Sequence, residues 1–338
     1  MTACGTGTQP FTFDGTDPDT GTTDSTGTTT DEASENTGTL DTGTALPPGT
    51  NEPSSTEDVL RFEADNGTGG LVTSVTYIPK DDEFIIDNLG FDGANVYKRD
   101  NQVGTLKSYA VYEADTITFD SLTGEPIDQI GLYRAIVGVS KNSEDGEARS
   151  SFAIVRTGGY EGYGFGGFIY ERNGGVTLPT AGQARFAGDY AGIRVFSSGG
   201  GLEFTRGDMT IDIDFRDFNA NDAVKGRVFN REAFEPDGTP ITLGAGGLQL
   251  PSLQFTIVEG AATLTENGEL SGTLNNTIVN EQGVLEEYET GTYYGIIGGD
   301  MTAAGDGGEL VGIFVVESED PRYENITVQE TGGFILYR

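Results

Sequence analysis

Chemistry needs nucleophiles, bases and ligands at fixed spacings, and this chain is sparing with them. It has one cysteine, Cys4, and no histidine. Ser–His and Cys–His nucleophile pairs are therefore excluded, as are histidine-ligated metals. Neither a Gly-x-Ser-x-Gly elbow nor a phosphate-binding P-loop occurs. Carboxylates are plentiful, so paired acid–base work on a glycosidic bond stays open, although no pair stands out. Asp217, Asn219 and Asn221 have the opening spacing of a calcium loop, but the sixth position is Asp222 rather than Gly and the twelfth is Val228 rather than Glu. The metal expectation is a loosely held calcium ion on Asp212, Asp214, Asp217 and Asp222; a solvated acidic edge is the alternative. Gly162, Gly164 and Gly167 satisfy G-x-G-x-x-G, but FIYERNGG follows, which reads as strand and turn. A dinucleotide site needs a helix there, so the glycines read as a glycine–aromatic ribbon. Arg206-Gly207-Asp208 spells an adhesion tripeptide and is expected at a hairpin tip joining GLEF to MTIDI.

The sole thiol lies at the front of a tract suited to attachment. Residues 5–57 are mostly Thr, Gly, Asp and Ser, and the first basic residue of the chain is Arg61. Such a stretch buries too little apolar surface to offset the ~1–2 kcal/mol per residue lost on ordering its backbone. It reads as a disordered acidic tether, spanning roughly 40 Å as a random coil of ~50 residues. Thr2-Ala3-Cys4-Gly5 is similar to the end of a bacterial lipoprotein signal, where a Leu and small residues precede a cysteine that is lipidated after cleavage. Met1 stands at the Leu position. The expectation is a covalent lipid on Cys4.

Charge narrows the partners. Lys+Arg number 19 and Asp+Glu 54, for a net charge of −35. Nucleic acid and anionic membrane surfaces need a basic patch, so neither is an expected partner. No apolar run reaches the ~18–20 residues of a spanning helix, so any membrane link comes through a lipid.

From about Val59 onward the pattern is that of strands. In DMTIDIDFRDF, Met209, Ile211, Ile213 and Phe215 alternate with Thr210, Asp212, Asp214 and Arg216. Strict period-2 alternation means one dry and one wet face. Asn267-Gly268, Asp237-Gly238 and Asp306-Gly307 mark tight turns. Residues 58–178 read as a β-rich section with longer polar loops, such as VSKNSEDGEARSS. Residues 179–338 read as about eight strands, starting near 184, 202, 209, 224, 250, 269, 288 and across 309–338, where the last span holds one strand or two. The fold class is all-β: a β-rich N-terminal domain, then an eight-stranded antiparallel up-and-down barrel whose small interior is filled by side chains.

Three stretches resemble a known family. LPTAGQARFAGDYAG, then GTYYGIIGGDMTAAGDGGELVGIFV, then the terminal ETGGFILYR resemble the barrel domain of transferrin-binding protein B-like bacterial surface lipoproteins. The middle element carries the likeness best: Gly291, Tyr293, Tyr294 and Gly295, then Gly307-Gly308 leading to Gly312-Ile313-Phe314. The resemblance implies a handle domain over 58–178, a barrel domain over 179–338, and a single lobe of a two-lobed architecture. It also implies lipid anchoring at Cys4 to the outer membrane of a Gram-negative bacterium, facing the extracellular side. The function it implies is non-enzymatic capture of a solute such as iron, haem or a protein ligand, with an outer-membrane transporter as a further partner. Some relatives bind haem; without histidine the axial ligand here would be Tyr or Met, with Tyr160, Tyr163 and Tyr170 as the candidates and ordinary strand packing as the alternative. A structural or adhesive surface protein without a specific ligand is the rival reading, and a carboxylate glycosidase the third. Candidate binding loops are Ser197–Gly201, Arg216–Asp222, Glu235–Gly247 and Glu317–Glu324.

Overall fold

In a computed structural model of the chain, the residues described are 45–65, 70–72, 74–87, 89, 95–114, 117–119, 122–128, 133–159, 162–197, 199–216, 223–241, 250–257, 262–279, 282–302 and 308–338. Cys4 and Asp306-Gly307 lie outside them. Among these residues there are strands and turns but no helix.

The first part of the chain forms β1 (Val59–Phe62), β2 (Ser74–Ile78), β3 (Glu83–Asp87), β4 (Val96–Arg99), β5 (Thr105–Leu106), β6 (Tyr109–Ala114), β7 (Ile117–Phe119), β8 (Pro126–Asp128), β9 (Arg134–Val139), β10 (Ser143–Glu144), β11 (Glu147–Ala148), β12 (Ser150–Arg156) and β13 (Gly166–Arg172). Nine of them make one sheet, in the order β1-β13-β12-β9-β6-β4-β3-β2 with β5 beside β6. This sheet curls as a half-barrel over its own core, which includes Val75, Phe84, Tyr97, Tyr133 and Ile169. VSKNSEDGEARSS is not one open loop. It carries the small β10–β11 hairpin, because Asp145 and Gly146 both take positive φ, as a two-residue turn of this kind requires.

The second part adds β14 (Val176–Thr177), β15 (Gln183–Phe196), β16 (Leu202–Asp214), β17 (Val224–Phe234), β18 (Pro240–Ile241), β19 (Leu253–Phe255), β20 (Ala262–Leu264), β21 (Glu269–Val279), β22 (Leu285–Asp300), β23 (Glu309–Glu319) and β24 (Thr327–Tyr337). Strands β15, β16, β17, β19, β21, β22, β23 and β24 pair in sequence, and β24 pairs back onto β15. The ring therefore closes as an eight-stranded, antiparallel, up-and-down barrel, as the alternation predicts. The span 309–338 is two strands. The separate strands expected near 202 and 209 are one, β16, and Arg206-Gly207-Asp208 lies within it rather than at a hairpin tip. The pairing of β16 with β15 runs without a break through these residues, and where the β16–β17 register shifts between Arg206 and Asp208 the extra residue lies on β17.

Inward residues fill the barrel. Met209, Ile211 and Ile213 point into it with Phe186, Tyr190, Phe255, Tyr293, Phe314 and Phe334. Outward residues of the same strands meet the half-barrel. Ala191, Ile193, Val195, Phe204, Val311, Ile313 and Ile335 pack on Tyr109, Val111, Ile136, Phe152, Ile154 and Tyr170 in one continuous apolar layer. Glycines set its closeness: a Cβ on Gly333 would stand 2.2 Å from the Phe152 ring.

Polar anchors ring this layer. Arg61 Nε donates to Glu269 at 2.6 Å, and Ser140 and Asn142 donate to Glu309 at 2.7 and 2.6 Å. Tyr109 Oη donates to the Asp189 carbonyl at 2.7 Å and accepts from Ile335 N at 2.8 Å. Buried Arg172 donates to the carbonyls of Ser54, Glu57, Gly174, Asn267 and Ile297. Residues 45–57, part of the Thr/Gly/Asp-rich tract, are thus held against the body: Gly49 bridges Arg61, and Ser55 O accepts from Val176 N at 2.7 Å.

Candidate functional site

Because the barrel is up-and-down, its connections sort into two ends. The β15–β16, β17–β19, β21–β22 and β23–β24 connections share one end. Three of the four candidate loops, 197–201, 235–247 and 317–324, fall on these connections; Ser198 and 242–247 lie outside the described residues. The fourth, 216–222, belongs to the opposite end, since β16 runs away from the first; Asp217 and Asp222 within it lie outside the described residues.

Beneath the loop-bearing end the barrel interior changes from apolar to ionic. Arg231, wholly buried, donates two hydrogen bonds to Glu289 at 2.6 and 2.8 Å and a third to Glu330 at 2.7 Å. Thr205 donates to Glu330 at 2.9 Å, and Asn276 Nδ2 donates to Glu289. Arg194, also buried, donates to Glu203 at 2.7 Å. Arg322 bridges Glu203 and Asp320, both at 2.7 Å. Burial alone would favour neutral Arg231; the charges of Glu289 and Glu330 outweigh it and push its pKa well above the ordinary value. Burial would likewise raise Glu289, but Arg231 holds its carboxyl below the usual range. Arg231 and Glu289 therefore stay charged, and with their partners they fill this part of the barrel interior.

Open space lies outside, on the same end. One cleft, of about 410 Å³, is walled by Phe196, Tyr323 and Ile326 above Glu203 and Glu235. Burial and the neighbouring Glu203 raise the Glu235 pKa above its ordinary value. A second opens where the half-barrel meets β16 and β17, beside Arg99, Leu106, Arg206 and Phe234. The β21–β22 hairpin exposes Val279, Val284 and Leu285, and Tyr323 is exposed on the β23–β24 connection.

The fold is similar to that of transferrin-binding protein B. The solved structure from Haemophilus parasuis Hp5 aligns at a TM-score of 0.36 and 13% identity, covering 82% of this chain and 42% of that one. Intact Ap-TbpB, with N and C lobes, aligns at 0.35 and 11%, covering 86% and 48%. The chain thus spans less than half the length of either neighbour. No family model matches the chain, and no curated protein matches it.

The other sequence candidates fall as follows. Tyr170 is wholly buried between the two sheets, and burial pushes its pKa well up. Tyr163 lies at the rim of that layer with its hydroxyl 2.9 Å from that of Thr327, and Tyr160 lies outside the described residues. Tyr163 and Tyr170 therefore do not share an open, flat pocket. Asp212 and Asp214 sit on the outer face of β16, 3.8 Å from Arg185 and 2.6 Å from Gln183 respectively. Among the described residues no group of three or more potential ligands is placed to hold a metal ion. The ionic network was missed at the sequence level. Part of its signal is present: in β22 and β24, Glu289 and Glu330 occupy positions where alternation points inward, whereas Arg231 is turned inward by the β17 bulge at Asn230, which breaks the alternation from Val228.

Proposed function

We propose that this protein is a non-enzymatic, lipid-anchored surface protein that captures a ligand with the loop-bearing end of its barrel. One observation carries this reading. Both clefts, three candidate loops and the exposed apolar hairpin collect at one end, above a barrel interior filled there by ion pairs. Binding residues concentrate on loops held by a rigid scaffold, and a filled interior favours the surface for a ligand. The chain has no histidine, its one thiol is Cys4, and the buried carboxylates of the network are committed to arginines, which argues against acid–base catalysis. Cys4 before a Thr/Gly/Asp-rich tract supports attachment through a lipid to the outer membrane, facing outward, with an outer-membrane transporter as the onward partner.

The test is protease shaving of intact cells expressing the protein with its full native upstream region, beside a Cys4→Ala variant. The expected outcome is a membrane-bound, externally cut wild type and a released, soluble variant. A wild type that is membrane-bound but protected would place the protein on the periplasmic side and end the surface-capture reading.

A further inference from the structure

The chain carries only 19 basic residues against 54 acidic ones, yet two arginines line one cleft. Arg99 reaches it from β4 of the half-barrel and Arg206 from β16 of the barrel. Among the described residues no carboxylate lines this cleft of about 590 Å³, and its floor is apolar, with Leu106 and Phe234. A smaller cleft, of about 260 Å³, shares Arg206 and Phe234 and continues past Glu232, which is paired to Arg206, to Ile241 and Leu250. Together they make a cationic mouth leading to a largely apolar annex, at a junction between two sheets, where small-molecule sites concentrate.

Both guanidiniums are held in place from outside the cleft. Asp82 accepts from Arg99 Nε at 3.1 Å and from Nη2 at 3.2 Å, and the Tyr112 ring lies 4.5 Å beneath. Glu232 accepts from Arg206 Nε at 2.9 Å, and the Phe234 ring lies 4.5 Å beneath. Arg99 Nη1 also donates to the Gly104 carbonyl at 3.3 Å. A guanidinium has five N–H donors, so Arg99 keeps one N–H on each Nη for a ligand, and Arg206, gripped through Nε, presents its Nη edge. A bulge on β17 serves this arrangement: Asn230, at a φ of 52°, is the extra residue opposite Gly207, and it turns Glu232 and Phe234 to the outer face beside Arg206. A Cβ on Gly207 would stand 2.6 Å from the Tyr190 ring.

We propose that this cleft binds a small organic monoanion, a carboxylate or sulfonate on an apolar body. Its head sits on Arg99 and Arg206, and its body lies on Phe234 toward Ile241 and Leu250. The site deepens the capture reading by naming a ligand class, and it is tested apart from the surface address.

The experiment is a fluorescence titration of the full chain with 8-anilinonaphthalene-1-sulfonate. The expected result is saturable binding, displaced by benzoate but not by the same concentration of benzyl alcohol. Arg99→Gln and Arg206→Gln each weaken binding at least fivefold, and the pair together more than twentyfold. The side chains are 39% and 37% exposed, so melting temperatures stay at the wild-type value. The competition arm uses only wild-type protein and decides the matter even where a variant folds poorly. Absence of saturable binding, equal displacement by benzyl alcohol, or undiminished binding in the folded double variant overturns the site. None of these outcomes touches the shaving result, and a protected wild type in shaving leaves the cleft intact.

Discussion

Two buried side chains set the sharpest expectations at the residue scale. Arg231 satisfies Glu289 and Glu330 together, so Arg231→Met strands two carboxylates in the barrel. Removing one partner of a buried pair costs about 3–5 kcal/mol, and urea denaturation should show a loss of that size. Glu171 is the reverse case. Burial pushes its carboxyl up to about 8, against a partial opposing effect from the Ser151 hydroxyl that donates to it at 2.6 Å. The folded state holds the proton above the pH at which the unfolded chain has released it. The stability from the neutral acid is therefore full below about 4.5 and is lost as pH rises through about 8. Thermal melts of wild type and Glu171→Gln from pH 5 to 9 should diverge in that window, the wild type falling more steeply. Parallel curves would show that Glu171 ionises in the fold as it does in water.

At the scale of the element, alternation was a dependable guide wherever it ran unbroken. Met209, Ile211 and Ile213 face the barrel core as their spacing predicts, and Asn267-Gly268 turns β20 into β21 with Gly268 at a φ of 83°. Arg206-Gly207-Asp208 reads as a hairpin tip but runs through a 13-residue strand. Alternation failed instead on β17, where Asn230 is an extra residue opposite Gly207 and turns Arg231 inward and Phe234 outward. Only the partner strand reveals such a bulge. Close strand and ring approaches at glycine are a second element-scale feature. A Cβ on Gly312 would stand 2.1 Å from the Tyr294 carbonyl oxygen and 2.6 Å from the Phe334 ring. Backbone cannot step aside as a flexible side chain can, so Gly312→Ala should destabilise by roughly 1–3 kcal/mol, read as a lower denaturation midpoint with unchanged slope.

The whole molecule is joined by the layer between half-barrel and barrel. Its core takes residues from both sheets, and the ion pair Arg61–Glu269 and the Glu309 hydroxyl contacts cross between them. Calorimetry of the full chain should give one transition, with equal calorimetric and van't Hoff enthalpies. Residues 179–338 alone would expose Ala191, Ile193, Val195, Phe204 and Ile313, an apolar wall of the kind that drives association. Light scattering should find that fragment self-associated and the full chain not; a monodisperse, monomeric fragment would show the barrel to be independent of its partner sheet.

Sequence by itself determined the β class, the closing run of hairpins, the placement of Cys4 ahead of an acidic tract, and the exclusion of histidine chemistry. These follow from local quantities: period, turn residues and composition. The ionic filling of the barrel end, the cleft of Arg99 and Arg206, and the burial of Tyr170 were decided only by the tertiary structure. Arg231 finds its carboxylates 58 and 99 residues along the chain. Arg99 and Arg206 meet only because the half-barrel lies against the outer wall of β15 and β16. Local patterning tells a side chain to face in or out; which distant side chain shares that space depends on how strands register and sheets pack, and that is a property of the folded whole.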